Sequence, residues 1–156
     1  MFFGNSPIAF FDGAAKDDKN GIGLVIKLSS THFFQAYMAI GSGSNIRVEL
    51  VALWGFLTLC QSLDLQVIHV ARYSKVVIDW FNGISTLNVI TLNQWKERVK
   101  ELGSFFSQIQ VFHIHRSFNS QAYILSKKGL ESIYGTLFVD EYVGDIKMNI
   151  WSYSIF

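Results

Sequence analysis

Cysteine is almost missing from this chain. Its 156 residues include only Cys60, so no internal disulfide can form. The position falls in an apolar helical pattern that suits a buried small hydrophobe. Such usage points to a reducing compartment. Charge is scarce too: Asp, Glu, Lys and Arg make up 16% of the residues and balance to +1. A dedicated nucleic-acid binder usually carries a strongly basic patch, so any nucleic-acid binding here is expected to be weak and local. No apolar run approaches the ~18 residues of a membrane span, and no basic segment followed by a long apolar one opens the chain. These absences lead to the expectation of a soluble intracellular protein of nucleus or cytoplasm, without a membrane partner. Met1 stands so close to the first apolar run that little is expected to be missing upstream.

Apolar and aromatic residues fill the space that charge leaves. Half of the residues are hydrophobic, among them 14 Phe, 6 Tyr and 4 Trp. That excludes disorder over most of the chain, and the length suits one domain with a real core. The aromatic total exceeds what one small core easily hides. It points to a surface covered by a protein partner or a second copy of the chain.

Along the chain, Ile8 to Phe11 is apolar throughout and reads as a buried strand, with Asp12 projecting from its end before the Gly13 turn. Lys16 to Gly21 is a polar turn that leaves Asp17 and Asp18 solvated. Ile22 to Leu28 alternates as a second strand, and His32 to Ile40 reads as a third, closing an antiparallel meander. From Arg47 the apolar period becomes three to four, predicting a helix to Ser62 with Glu49 in its first turn, where a carboxylate is often only a partner of the helix dipole. Leu65 to Ala71 is a fourth strand, Val76 to Phe81 a short helix, and Trp95 to Phe106 a longer one. Ile109 to Ile114 is a fifth strand. Asn119 is a plausible cap for a last helix that stops at Gly129. Hairpins join strands one to three and helical crossovers make strands one, four and five parallel. The prediction is an α/β fold with a five-stranded mixed sheet, order 3-2-1-4-5, strand 2 antiparallel and helices on both faces. Asp12, Glu49, Tyr73 and the first turn of the last helix would then converge at one edge.

Four segments carry a resemblance to a known family: Phe11-Asp12-Gly13-Ala14-Ala15, Ser44 to Leu53 around Glu49, Tyr73 to Trp80, and His113 to Asn119 continuing through Leu125 to Leu130. In order and spacing they resemble the ribonuclease H superfamily, most closely the ribonuclease H-like domains of plant retroelement origin. The resemblance implies a ribonuclease H-like domain over residues 1–130. It ends there, leaving residues 131–156 as an aromatic extension expected to pack on the domain or on a partner.

In that family four carboxylates hold two magnesium ions, which activate water and neutralise the leaving oxygen in phosphodiester hydrolysis. By the resemblance Asp12 and Glu49 are two of the four, while Tyr73 and Tyr123 replace the others. A neutral phenol of ordinary pKa ~10 supplies neither charge nor good magnesium coordination. A site reduced to Asp12 and Glu49 is expected to hold magnesium weakly or not at all. The resemblance also implies nucleic-acid contacts from Gly13, Asn45, Ser74 and Asn119, weakened because Ile46 stands where a second Asn is usual. Asp79 reads as a solvated helical charge, and His113 and His115 as structural residues. Arg116, Lys127 and Lys128, with Lys96, Arg98 and Lys100, are explained by solvated helix faces. The function expected is therefore that of a catalytically degenerate ribonuclease H-like protein acting by binding, through protein interaction or regulation. The alternatives are a non-cleaving binder of RNA or RNA–DNA hybrid, and a surviving magnesium-dependent hybrid endoribonuclease.

Overall fold

Alternating side chains along three successive apolar runs build an antiparallel meander in the computed structural model, which describes residues 7–71, 75–112 and 116–155. Strand β1 (Ile8–Lys16) pairs with β2 (Lys19–Lys27), and β2 with β3 (His32–Gly41). Lys16 faces Lys19, so Asp17 and Asp18 alone make the turn. Both have positive φ, 52° and 62°, as the right-handed strand twist asks of a two-residue hairpin. β1 thus runs on past Asp12 and Gly13, where the sequence pattern predicts a turn. The ladder to β2 needs only backbone groups, so Gly13, Ala14 and Ala15 extend the strand without apolar bulk.

Helix α1 (Asn45–Ser62) follows, with the Ser44 hydroxyl accepting from the Arg47 backbone N–H at 3.2 Å. It starts two residues before its apolar period does. Glu49 consequently stands in the second turn, not the first. Then come β4 (Val67–Ala71), α2 (Lys75–Phe81), a 3-10 turn at Ile90–Leu92 and α3 (Asn93–Gly103). β5 (Gln108–Phe112), a 3-10 turn at Arg116–Asn119 and α4 (Ser120–Leu130) complete the crossovers. β4 lies parallel to β1, and β5 parallel to β4. No helix of the described residues is long and apolar enough to cross a membrane.

The expectation of a five-stranded sheet is corrected: there are seven strands, in the order β5-β4-β1-β2-β3-β6-β7. The additions are a hairpin of β6 (Thr136–Val143) and β7 (Ile146–Ser154), which joins the sheet antiparallel at β3. Ile146 to Ile155 does alternate apolar with polar residues, but the resemblance ends at Leu130 and gives this stretch no place in the sheet. Its apolar side chains are needed on one face only, and much of β7 is exposed.

On one face of the sheet the core gathers Leu24, Ile26, Met38, Leu53, Phe56 and Ile68, all buried, beneath α1. Trp151 of β7 meets Phe34 edge-on at 6.0 Å, and the Tyr153 hydroxyl donates to Ser62 Oγ at 2.8 Å. Arg98 of α3, expected to be solvated, lies over Trp54 and Trp95 at 4.2 and 4.5 Å from their ring centroids. Its Nη2 donates to the Ile155 carbonyl at 2.7 Å. Lys96 and Lys100 likewise stand over the Trp80 ring, because cations gain on an indole face what they lose in hydration.

The other face receives α4, and there the contact is backbone on backbone. A Cβ placed at Gly23 would strike the Ala122 carbonyl oxygen and lie 2.5 Å from the Ser126 nitrogen. One at Gly21 would lie 2.5 Å from the Leu130 nitrogen, and one at Gly129 2.6 Å from the Met38 carbonyl oxygen. Glycine on both partners lets α4 approach β2 and β3 this closely.

Gly23→Ala is accordingly expected to lower stability by about 1–3 kcal/mol, the usual cost of overpacking. In urea unfolding an unchanged midpoint would refute the close approach. A second expectation concerns the β3–β6 seam, where Glu141 accepts from Asn149 at 2.7 Å and bonds His32 at 2.7 Å. The Asn149 amide first, then His32, hold its carboxyl below the ordinary value of 4.5. A depressed carboxyl pKa stabilises the fold above the ordinary value, and that contribution vanishes as pH falls through the folded value. Below about pH 4.5, stability should therefore fall more steeply in the wild type than in Glu141→Gln, as measured by denaturation at stepped pH.

Candidate functional site

β1 pairs with β4 only from Ile8 to Phe10, opposite His69 to Ala71. Asp12 lies beyond the last described parallel pair, still held to β2 opposite Gly23. Its place by strand alternation is the α4 face, shared with Ile8 and Phe10. Each carboxylate oxygen accepts a hydrogen bond: Oδ1 from the Gly13 N–H at 2.9 Å, Oδ2 from Asn119 Nδ2 at 3.3 Å. The same Asn119 amide donates to the Phe11 carbonyl at 3.0 Å.

Asn119 is 2% exposed. The sequence offers it as the cap of α4, yet it makes no capping bond. The 3-10 turn before it leaves its backbone at φ −110°, ψ 12°, away from the extended conformation in which a cap reaches its own helix. The side chain instead clasps β1.

One turn further along α4, Tyr123 is 45% exposed. Its ring lines an open groove of about 660 Å³ together with Gly13, Lys16, Asp17, Lys19 and Lys127. The Lys127 ammonium stands 4.7 Å from the ring centroid. The groove therefore presents more cations than acids beside the phenol, since Glu131 is the other acid lining it. Lys16 and Lys19 flank the Asp17–Asp18 turn. Local sequence marks that stretch only as a solvated turn, although two lysines set symmetrically about a hairpin are the available signal.

The remaining candidates lie on α1 or outside the described residues. Asn45 opens α1 and is exposed, Ile46 packs against the core, and Glu49 is half-buried. Asp12 is carried by β1 and Glu49 by α1. Tyr73, Ser74, His113 and His115 fall outside the described residues. Asp79 is ion-paired to Lys75 within α2, and Cys60 is buried, with burial pushing its thiol well up. Among the described residues no three His, Cys, Asp or Glu side chains gather to hold a metal. No Asp or Glu occurs in the segments left undescribed.

Comparison with known proteins places this geometry. The family described as reverse transcriptase-like matches residues 10–129, a span that stops before the β6–β7 hairpin. Among solved structures, ribonuclease H1 from the halophilic archaeon Halobacterium salinarum is similar at a TM-score of 0.65 and 23% identity, covering 81% of this chain and 98% of its own. The N-terminal ribonuclease H domain of a Mycobacterium tuberculosis protein gives 0.66 and 22%, covering 81% and 94%. LC11-RNase H1, solved in complex with an RNA/DNA hybrid, gives 0.62 and 22%, covering 81% and 97%. No curated protein sequence matches. At these identities the structures share a fold with this chain.

Replacing the Asn119 clasp tests how firmly α4 is tied to β1. Asn119→Ala is expected to cost about 1–3 kcal/mol, the range for a lost buried hydrogen-bonding side chain. Asn119→Asp should cost more, because a carboxylate there would face two acceptors, the Phe11 carbonyl and Asp12. Equal urea midpoints for the two variants would count against the bonding described.

Proposed function

The chain belongs to the reverse transcriptase-like family and forms a ribonuclease H-like domain, and on that premise we propose that it is a catalytically degenerate member, acting by binding rather than by cleavage. Its partner on this reading is another protein, through interaction or regulation. The observation that supports the reading is the groove at the end of β1, which Tyr123 lines together with Lys16, Lys19, Lys127, Asp17 and Glu131; by the resemblance Tyr123 takes the position of a family carboxylate.

The magnesium ions that the fold family implies do not fit this donor set. Hard divalent cations need several anionic oxygens, and a site of low charge holds them poorly. Asp12 already accepts from Gly13 and Asn119. Lys127 over the Tyr123 ring adds repulsion where a cation would have to sit. The donor set therefore supports no two-metal cleavage step. A second reading, a non-cleaving binder of RNA or RNA–DNA hybrid, draws support from the same lysines, since ammonium groups lining an open groove suit phosphates.

Labelled RNA–DNA hybrid, incubated with the protein and magnesium or manganese, should remain intact. Cleavage by the wild type that Asp12→Asn abolishes would overturn the proposal. Substituting Tyr73→Asp and Tyr123→Asp together should introduce magnesium binding that calorimetry detects, and either substitution alone should do little, because two-metal chemistry needs both sites. If the double variant binds no magnesium, the correspondence drawn through Tyr73 and Tyr123 fails.

A further inference from the structure

α4 lies over β1, β2 and β3, and the sheet carries on beyond it through β6 and β7. On that continuation, Phe33 stacks on Tyr142 with centroids 5.1 Å apart and planes 9° from parallel. Tyr37 stacks on Phe138 at 5.3 Å and 21°. All four rings are part-exposed. They share one face because side chains alternate along a strand: Phe33, Gln35 and Tyr37 look to the side opposite Phe34, Ala36 and Met38 of the core. Between the ring pairs Gln35 stands opposite Asp140, and Ile150, opposite Asp140 from β7, is 67% exposed.

Lysines frame the same face. Lys128 stands 4.5 Å from the Tyr37 centroid and Lys147 5.8 Å from that of Tyr142. Lys27 is the register partner of Phe33 and lies 5.4 Å from the Phe10 ring. Asp140, the acid between the ring pairs, is 8% exposed and 3.7 Å from Lys147, which leaves cations as the outward charge there.

We propose that this face binds single-stranded nucleic acid, with unpaired bases stacking on the two ring pairs and backbone phosphates meeting Lys27, Lys128 and Lys147. Each ring gives one face to its partner, so a base stacks on the outer side of a pair, and stacking with a cationic rim is how sheets hold single strands without reading sequence. Phe33 and Tyr37 are four residues apart on β3, roughly 13 Å at the ~3.3 Å rise of a strand. A few nucleotides of single strand span that distance, so one short strand engages both pairs. A duplex keeps its base faces hidden and gains only the lysines. The inference goes beyond the reading of the β1 groove and stands whether or not that groove cleaves.

The full chain, titrated against fluorescein-labelled oligo-dT and oligo-U of about twelve nucleotides at low salt, should raise anisotropy, whereas duplex of the same length should compete weakly. Tyr142→Leu and Phe138→Leu should each weaken binding about fivefold or more, as expected for loss of one stacked base. Tyr142→Phe should bind as the wild type does. Should the leucine variants fail to fold, Lys128→Gln with Lys147→Gln, which removes both charges and leaves an amide able to donate to Asp140, should weaken binding about tenfold or more and leave the urea midpoint close to that of the wild type. Absence of binding would overturn the proposal, as would binding that the ring and lysine variants leave unchanged. Loss of self-association in the ring variants with no change in oligonucleotide affinity would make the face an interface between copies instead. Asp12→Asn and Glu49→Gln should not alter this affinity, which separates failure here from failure of the groove reading.

Discussion

The seating of α4 against the sheet depends on glycine. At Gly21 and Gly23 of β2 and at Gly129 of α4 itself, no side chain separates helix from strand, and a single methyl group at any of them would meet backbone. Backbone cannot swing aside as a side chain can, so the separation of helix and sheet is set by these three positions. The rest of the site inherits that separation. Asn119 reaches the Phe11 carbonyl and Asp12, and Tyr123 lines the groove beside Gly13, only because α4 lies this low. An ordinary layer of Leu and Val between helix and strand would hold backbones several ångströms further apart and leave the Asn119 amide short of β1.

The two faces of the sheet use the chain's few charges differently. On the α1 side the cations of α3 are absorbed by aromatic rings: Arg98 by Trp54 and Trp95, Lys96 and Lys100 by Trp80. Those contacts fasten the end of the chain, through Ile155 and Tyr153, to α1 and α3. On the α4 side the lysines stand over rings that are themselves part-exposed, at Tyr123, Tyr37 and Tyr142. A net charge of +1 thus conceals an uneven surface. Arg98 also donates to the Ile155 carbonyl and so acts as a structural clamp, whereas a lysine beside a part-exposed phenol keeps its field directed to solvent.

The order of strands and helices from Ile8 to Leu130, and the pairing sense of the first five strands, were legible in the sequence, because apolar period and turn residues are local properties. Tyr at positions 73 and 123 was legible as well, since it rests on residue identity alone. What sequence could not determine were features made by distant parts of the chain. β1 runs on to Lys16 because β2 supplies its hydrogen bonds, whatever the apolar pattern says. Asn119 turns from its own helix to Asp12 of β1, 107 positions away, which no local rule for capping residues foresees. The β6–β7 hairpin adds two strands because the β3 edge was open to it. Phe33 finds Tyr142, and Tyr37 finds Phe138, only once that hairpin is in register. Local chemistry determined which elements form. Tertiary structure decided which side chains became neighbours, because those neighbours are set by register and by how closely a helix can approach a sheet.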